Sequence, residues 1–368
     1  MDITPIDLNR LRVRPLAERR SLTRVEEILV EPDSEPSACS EGVARAIHAT
    51  AGQIRAARER DAAVILIYGA HLLRNGAALI LARMMEGGWL TALATNGAGS
   101  IHDWEYAWLG ASTEGVEANV AAGTFGSWDE TSTNIHRALL VGALDGLGYG
   151  EALGRLISEG GLTLPEPDEL ARLVAGDPRH PLAAARADLL GAMVARGWAG
   201  GRVAVEHRWK HASILGQAAR LGVPLTVHPG IGYDIIANHP SFHGAAIGRA
   251  ADVDFRRFGG SVERLDGGVV LSVGSAIMGP QVFEKSLSCV NNLRLGEGRA
   301  IVRDHSFVVV DLQDGGGWDW SAGEPPKSNP AYYLRFCKSF SRMGGPMRYV
   351  QADNATFMHH LCRELDRA

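Results

Sequence analysis

Cysteine is scarce in this chain of 368 residues: Cys39, Cys289, Cys337 and Cys362 are the four present, and no two stand at the C-x-x-C spacing of a metal knuckle or redox pair. The same scatter argues against a disulfide framework, and a reducing cytoplasm is the expected compartment. Long apolar runs are lacking as well. No stretch approaches the roughly 20 apolar residues of a membrane span, and the opening MDITPIDLNRLRVRPLAERRSL has no apolar signal core. Neither membrane insertion nor secretion is expected. Charge of one sign is not in excess, with 37 Lys and Arg against 42 Asp and Glu, so no general nucleic-acid footprint is present. Repeats and low-complexity tracts are absent. What remains is 46% hydrophobic and 21% charged, an ordinary globular composition in which site chemistry must be local.

The most informative stretch is ATNGAGSIHD, Ala94 to Asp103. It follows an apolar run from Trp89 and precedes a helix-like segment, so it reads as strand, glycine turn and helix start. Gly97 and Gly99 permit close backbone approach, and a helix opening after such a turn aims free N–H groups at an anion. The spacing is short of the full dinucleotide fingerprint, because no third small residue follows Gly99 at the expected spacing.

Apolar runs and amphipathic stretches alternate from Ser40 onwards. Val64–Tyr68, Trp89–Ala94, Arg202–Val205, Leu225–Val227, Val269–Val273, Phe307–Val310 and Arg348–Val350 read as short strands, several too apolar to have a wet face. Ala77–Glu86, His211–Leu221, Gln281–Leu293 and Ala331–Ser341 read as helices between them. This pattern predicts an α/β fold, a Rossmann-like parallel sheet with helices on both faces. Residues 1–40 form an expected N-terminal arm, lying on the fold or on a neighbouring subunit. Residues 41–368 form one domain, with a helical insertion lacking clear strands around 131–198. Ligands of such sheets sit at the carboxyl ends of the strands, which directs attention to loops 69–75, 95–103, 228–238, 274–280, 311–329 and 352–354.

Two of these regions carry chemistry. In DGGGWDWSAGEPPKSNP, Trp318, Asp319 and Trp320 place a carboxylate between indoles, suited either to gripping an organic cation or to covering a sheet edge and capping a turn. In NPAYYLRFCKSF, Lys338 stands among Tyr332, Tyr333, Phe336 and Phe340. It reads either as a desolvated amine able to form an imine or as a side chain covering apolar surface. The pairs His207/His211 and His239/His243 have the i, i+4 spacing of a zinc site, yet no HExxH glutamate accompanies them and Pro240 interrupts the second, so no metal is expected.

Taken in order, IYGAHLLRNG, ATNGAGSIHD, VPLTVHPGIGYDII, GGVVLSVGSAIMG, the tryptophan loop, FCKSF and PMRYVQADNATF resemble the deoxyhypusine synthase family over about Val64 to Glu364. The resemblance implies a homotetramer with NAD at the strand ends. It implies a transferase that moves an aminoalkyl group from a polyamine or diamine to an amine acceptor through a lysine imine. Lys338 would form that imine. Asp234, Asp319, Trp318, Phe336 and Glu284 would line the substrate side. His71, Leu72, Asn75, Thr95, Gly97, Ala98, Gly99, Asp103, Ala352 and Asp353 would hold NAD, with Asp353 on the ribose hydroxyls.

Departures accompany the resemblance. The first loop has no serine, and GSAIMGPQVFEK supplies Ser275, Pro280 and Glu284 where the family has a catalytic histidine and an asparagine. His102, His228 or His243 could carry protons instead, with His102 the chosen candidate. Two other readings stay open: an NAD-binding protein of this fold without the transferase, and a homospermidine synthase-like enzyme with a small-amine acceptor.

Overall fold

The computed structural model describes residues 3–367. Six strands form one parallel sheet: β1 Val64–Tyr68, β2 Ala92–Asn96, β3 Leu225–His228, β4 Val269–Val273, β5 Ser306–Asp311 and β6 Met347–Gln351. Their spatial order is β6-β5-β4-β1-β2-β3. Read from the other edge this is 3-2-1-4-5-6, the doubly wound order whose direction reverses between β1 and β4.

Alternation along each strand divides the core. Val64, Leu66, Tyr68, Leu93, Leu271, Val273, Val308 and Val310 face one layer with Ile54, Ile101, Trp104, Phe357 and Leu361. Ile65, Ile67, Ala94, Val270, Phe307 and Val309 face the other, where Phe258, Phe283 and Phe340 pack. All five residues of β1 are buried, which is why an unbroken VILIY run rather than an alternating one marks this strand. In the second layer Phe307 sits edge-on to Phe283 at 5.3 Å and tilted to Phe340 at 5.3 Å.

The helices start where the sequence supplies caps. The Ser40 hydroxyl accepts from Val43 N–H at the head of helix 41–59, and the Asn96 side chain accepts from Gly99 N–H at the head of helix 97–109. Gly110, at φ 71°, ends the latter helix in the left-handed conformation.

Several expected elements differ. Gly201–Ala204 is outside the main sheet and pairs antiparallel with Gly161–Leu164, so the insertion is not strand-free. Its helices are Asp129–Gly142, Tyr149–Glu159, Pro167–Gly176 and Ala183–Arg196. The expected helix 331–341 is a turn, Pro330–Tyr333, followed by the short helix Arg335–Phe340. Helix Gly244–Glu263 begins directly at the second histidine pair: His243 caps it, accepting from Ala246 N–H at 3.2 Å, while His239 lies in the preceding turn. Those two imidazoles therefore share no helical face. In the first pair, His207 is buried against Trp104 and His211 lies in a separate short turn.

The arm lies on its own fold. Leu16 is fully buried, Thr23–Arg24 pairs with Ala111–Ser112, and the Arg19 guanidinium grips Glu105 at 2.7 and 2.8 Å inside the protein. No helix among the described residues is long and apolar enough to cross a membrane.

Candidate functional site

The reversal between β1 and β4 opens the sheet's carboxyl edge, and two glycines face each other there. A Cβ on Gly69 would stand 2.1 Å from the Gly274 carbonyl oxygen, and one on Gly274, itself at φ 59°, 2.4 Å from the Asn354 Nδ2. Only glycine lets the β1 and β4 loops meet so closely. Asn354 is buried, and its Oδ1 has no hydrogen-bond partner. A buried amide oxygen without a donor is costly unless a ligand or water supplies one.

The loop after β6 crosses to this point. Asp353 Oδ1 accepts from Thr356 N–H and the Thr356 hydroxyl, both at 2.8 Å, and so caps helix 354–366. Its Oδ2 lies 3.5 Å from the Asn75 amide. The structure thus brings together Asn75, Asp353 and, through Gly274, Asn354, from loops that are distant in sequence. Ala352 N–H donates to the Asp311 carbonyl at 3.1 Å, tying the β5 and β6 loops. His71 is exposed on helix 70–74 beside them, whereas the Leu72 side chain is in the core and could offer only backbone.

At the neighbouring β2 end the glycine turn is partly closed by the protein itself. A Cβ on Gly97 would fall 1.9 Å from Asp234 Oδ2, and one on Gly99 2.1 Å from Thr95 Oγ1. Thr95 donates back to the Tyr68 carbonyl at 3.0 Å, and Ala98 is half-buried between the two glycines. The buried Asp234 carboxyl accepts from Gly230 N–H at 2.8 Å through Oδ2, and its Oδ1 has no partner among the described residues. Burial raises its pKa to about 6, with that one N–H pulling the other way. An acid so placed has acceptor capacity to spend on a cation.

Two residues assigned to this edge from sequence have other roles. Asp103 points into the core. Its carboxylate accepts from the Ser213 hydroxyl at 2.5 Å, Ile214 N–H at 2.7 Å and Leu215 N–H at 3.2 Å, capping helix 214–221. The i+6 position after Gly97 lies on the helix side facing that neighbour, so the motif's aspartate cannot reach a ligand at the edge. His102 is anchored rather than mobile. Its Nδ1 is 2.7 Å from Ser112 Oγ, and the Ser112 proton goes to Glu105 at 2.5 Å. Burial lowers its pKa to about 4, against the pull of Glu105, so it is neutral near pH 7 and ill-suited to shuttle protons there.

The substrate-side residues each have a local partner. Lys338 Nζ lies 3.3 Å from the centroid of the Tyr332 ring, a cation–π contact. Phe336 is buried beside Tyr349 in the second core layer. Asp319 is exposed and caps a turn, accepting from Ser321 N–H at 2.9 Å, while the Trp318 indole donates to the Gly323 carbonyl. Trp320 is buried with the second core layer. Glu284 pairs with Lys285 on helix 278–296. Among the loops at this edge, Ile231, Tyr233, Ile277, Leu312 and Tyr333 are exposed by 57–76%.

Gly69, Gly274 and Asn354 were not singled out from sequence as site residues. The available signal was positional: each directly follows a buried strand or its first loop residues at the predicted carboxyl edge. What makes them a site is mutual contact.

The fold and its glycine-lined switch point define a doubly wound α/β protein. No protein-family description matches the sequence, and no curated protein matches it. Among solved structures the chain is similar to ArgZ, an arginine dihydrolase from the ornithine-ammonia cycle in cyanobacteria, at 13% identity and TM-score 0.42, covering 90% of this chain and 33% of that one. It is similar to AgrE in its ternary complex with ornithine and NAD+, at 15% identity and TM-score 0.44, covering 90% and 34%. A conserved LOR/SDH protein from Methanococcus maripaludis S2 is similar at 16% identity and TM-score 0.44, covering 92% and 74%. The chain therefore spans about a third of the length of ArgZ and AgrE. Likeness at this level bears on no activity.

Proposed function

We propose that the chain is an enzyme using a nicotinamide dinucleotide, with NAD held at the β1/β4 switch point. The observation that carries this reading is the contact of Gly69 with Gly274 beside the buried, unpartnered Asn354 Oδ1. Two backbone loops in contact at the switch point, next to an acceptor lacking a donor, fit the place where such folds hold the pyrophosphate and hydroxyl groups of a dinucleotide. Asn75, Asp353 and Ala352 would border it, and Asn354 Oδ1 would accept from a ligand hydroxyl or amide. NAD supplies a hydride acceptor when bound.

The chemistry we assign is aminoalkyl transfer of the deoxyhypusine synthase type, from a polyamine or diamine to an amine acceptor, either a small amine or a protein lysine. The ordered motifs support it, as does the spare acceptor of Asp234 at the same edge, which suits a substrate ammonium. Lys338 would take the aminoalkyl group as an imine, its nitrogen bonding to the imine carbon of the oxidised substrate as the first amine leaves. The exposed apolar side chains around the edge support assembly into a homotetramer that completes the site.

A second reading has its own observation. Within one chain, Asp319, Trp318 and Phe336 are engaged in a turn and in the core and build no amine clamp around Lys338. An NAD-binding protein without transfer would look the same.

Thermal denaturation with NAD, followed by incubation with NAD and labelled spermidine, separates these readings. Stabilisation by NAD with release of diaminopropane, and a borohydride-trapped adduct on the peptide bearing Lys338, is the expected result. Stabilisation with no amine release under any acceptor would leave only the second reading. Absence of any NAD effect would overturn both. Lys338→Arg should abolish transfer and keep NAD binding, since arginine is not deprotonated in proteins. Light scattering that finds a monomer at micromolar concentration would refute the assembly.

A further inference from the structure

Helix 70–74 leaves β1 at the switch point with two basic side chains, His71 and Arg74. Arg74 is half-buried, its Nε is fully enclosed without a hydrogen-bond partner, and among the described residues no carboxylate lies within ion-pair distance of it. Arg19, on the N-terminal arm, stands in contrast. Arg19 is buried and bidentate on Glu105.

Glu105 has nothing left to offer Arg74. Its Oε1 accepts from Arg19 Nη1 at 2.7 Å and the Thr131 hydroxyl at 3.0 Å, and its Oε2 from Arg19 Nη2 at 2.8 Å and the Ser112 hydroxyl at 2.5 Å. Both arginines act on His102 electrostatically. Because the Ser112 proton is committed to Glu105, Ser112 Oγ accepts from His102 Nδ1–H, and the His102 lone pair is on Nε2. The charged and titratable groups around this ring are Glu105, Arg19, Arg74 and His71, with Tyr106 stacked beside it at 6.4 Å. Two guanidiniums against one carboxylate leave one positive charge uncompensated. The end of β2, where doubly wound folds place an acidic residue for the ribose, instead carries Asn96, whose side chain is spent as a helix cap. The acid at that end, Asp234, is held against Gly97 and Gly230 N–H and forms no ion pair with Arg74 among the described residues.

We propose that Arg74, with His71, forms an anion subsite for a ligand phosphate group, supplied by the dinucleotide that the switch point holds. The subsite rests on the dinucleotide reading for the identity of its ligand, not for its chemistry. A guanidinium without a partner, half out of water, gains more from a phosphate than an already paired one would. His102 Nε2, a fixed neutral acceptor, is placed to take a hydrogen bond from a sugar hydroxyl next to that phosphate. A polyamine ammonium would be repelled here, which keeps the two ligands on different parts of the edge.

The test uses titration calorimetry and thermal denaturation of the full chain with NAD, NADP, 5′-AMP, 2′,5′-ADP and inorganic phosphate, at low and high salt. Arg74→Gln should weaken dinucleotide binding by about tenfold or more, the loss of one charge-assisted contact, with Arg74→Lys restoring part of it. Equal losses for NAD and NADP identify the pyrophosphate as the partner, and a loss confined to NADP and 2′,5′-ADP identifies a 2′-phosphate. Wild-type protein that ignores both dinucleotides, yet binds inorganic phosphate through Arg74, would overturn the dinucleotide reading and uphold the subsite. Should Arg74→Gln fail to fold, His71→Gln replaces an exposed ring and should still weaken binding measurably. Binding within about twofold of wild type for every ligand in the folded variants would overturn the subsite.

Discussion

Replacing Asp103 by alanine tests whether the aspartate of the glycine motif serves a ligand or the fold. Its buried carboxylate accepts from the Ser213 hydroxyl and from the N–H groups of Ile214 and Leu215. Ser213 can rotate, but the two N–H groups at the head of helix 214–221 lose their acceptor. Orphaned buried donors cost about 1–3 kcal/mol each, partly offset by relief of the carboxylate's desolvation, so a net loss of about 2–4 kcal/mol is expected. With an unfolding entropy of about 2.1 cal/mol/K per residue, that corresponds to a fall in Tm of about 3–5 °C.

Burial raises the Asp103 pKa from 3.8 to about 6. A carboxyl with a raised folded-state pKa contributes most below its unfolded value, and that stability is lost as pH rises from about 4 to about 6. The gap between wild type and Asp103→Ala should therefore be wider near pH 4.5 than at pH 7. Denaturant melts at both pH values, with NAD affinity measured on the folded variant, give the answer. Unchanged stability with lost NAD affinity would refute the reasoning and return Asp103 to the cofactor.

Gly274→Ala forces a side chain into the left-handed region and onto Asn354, and should lose about 1–2 kcal/mol along with NAD affinity. Gly191→Ala, on an exposed helix position with nothing within 4 Å of the new methyl, should instead gain about 0.5–1 kcal/mol; equal effects of the two in urea melts would contradict the close approach at the switch point. Asp254, held by Gly150 and Val227 N–H at 2.8 Å each with its pKa raised to about 7 by burial, should make stability decline between pH 4 and 7. Asp254→Asn should flatten that decline, and an unaltered pH profile would show that another group causes it.

Which parts of this protein were legible before folding follows from the range of each interaction. Buried strands such as VILIY and VVLSV declare themselves, since a run apolar on both faces has few alternatives once helices lie between such runs. Asn96 and Ser40 mark helix starts because a cap acts within three residues. Sheet order was not legible, because nothing local states that β4 lies beside β1 while β3 lies beyond β2. That order alone creates the switch point, and with it the meeting of Gly69, Gly274 and Asn354. Of the antiparallel ribbon, the strand at 202–205 was legible, but its partner 161–164 and their pairing outside the main sheet were missed for the same reason.

Side-chain direction divided the residues of ATNGAGSIHD. The sequence by itself determined a strand, a turn that needs glycine and a helix, since backbone sterics and capping are local. Only the tertiary structure decided that Asp103 would cap helix 214–221, that His102 would be pinned to Ser112, and that Asp234 would press against Gly97. Each of those outcomes depends on which distant element packs on a given helix face, and packing is a property of the assembled core.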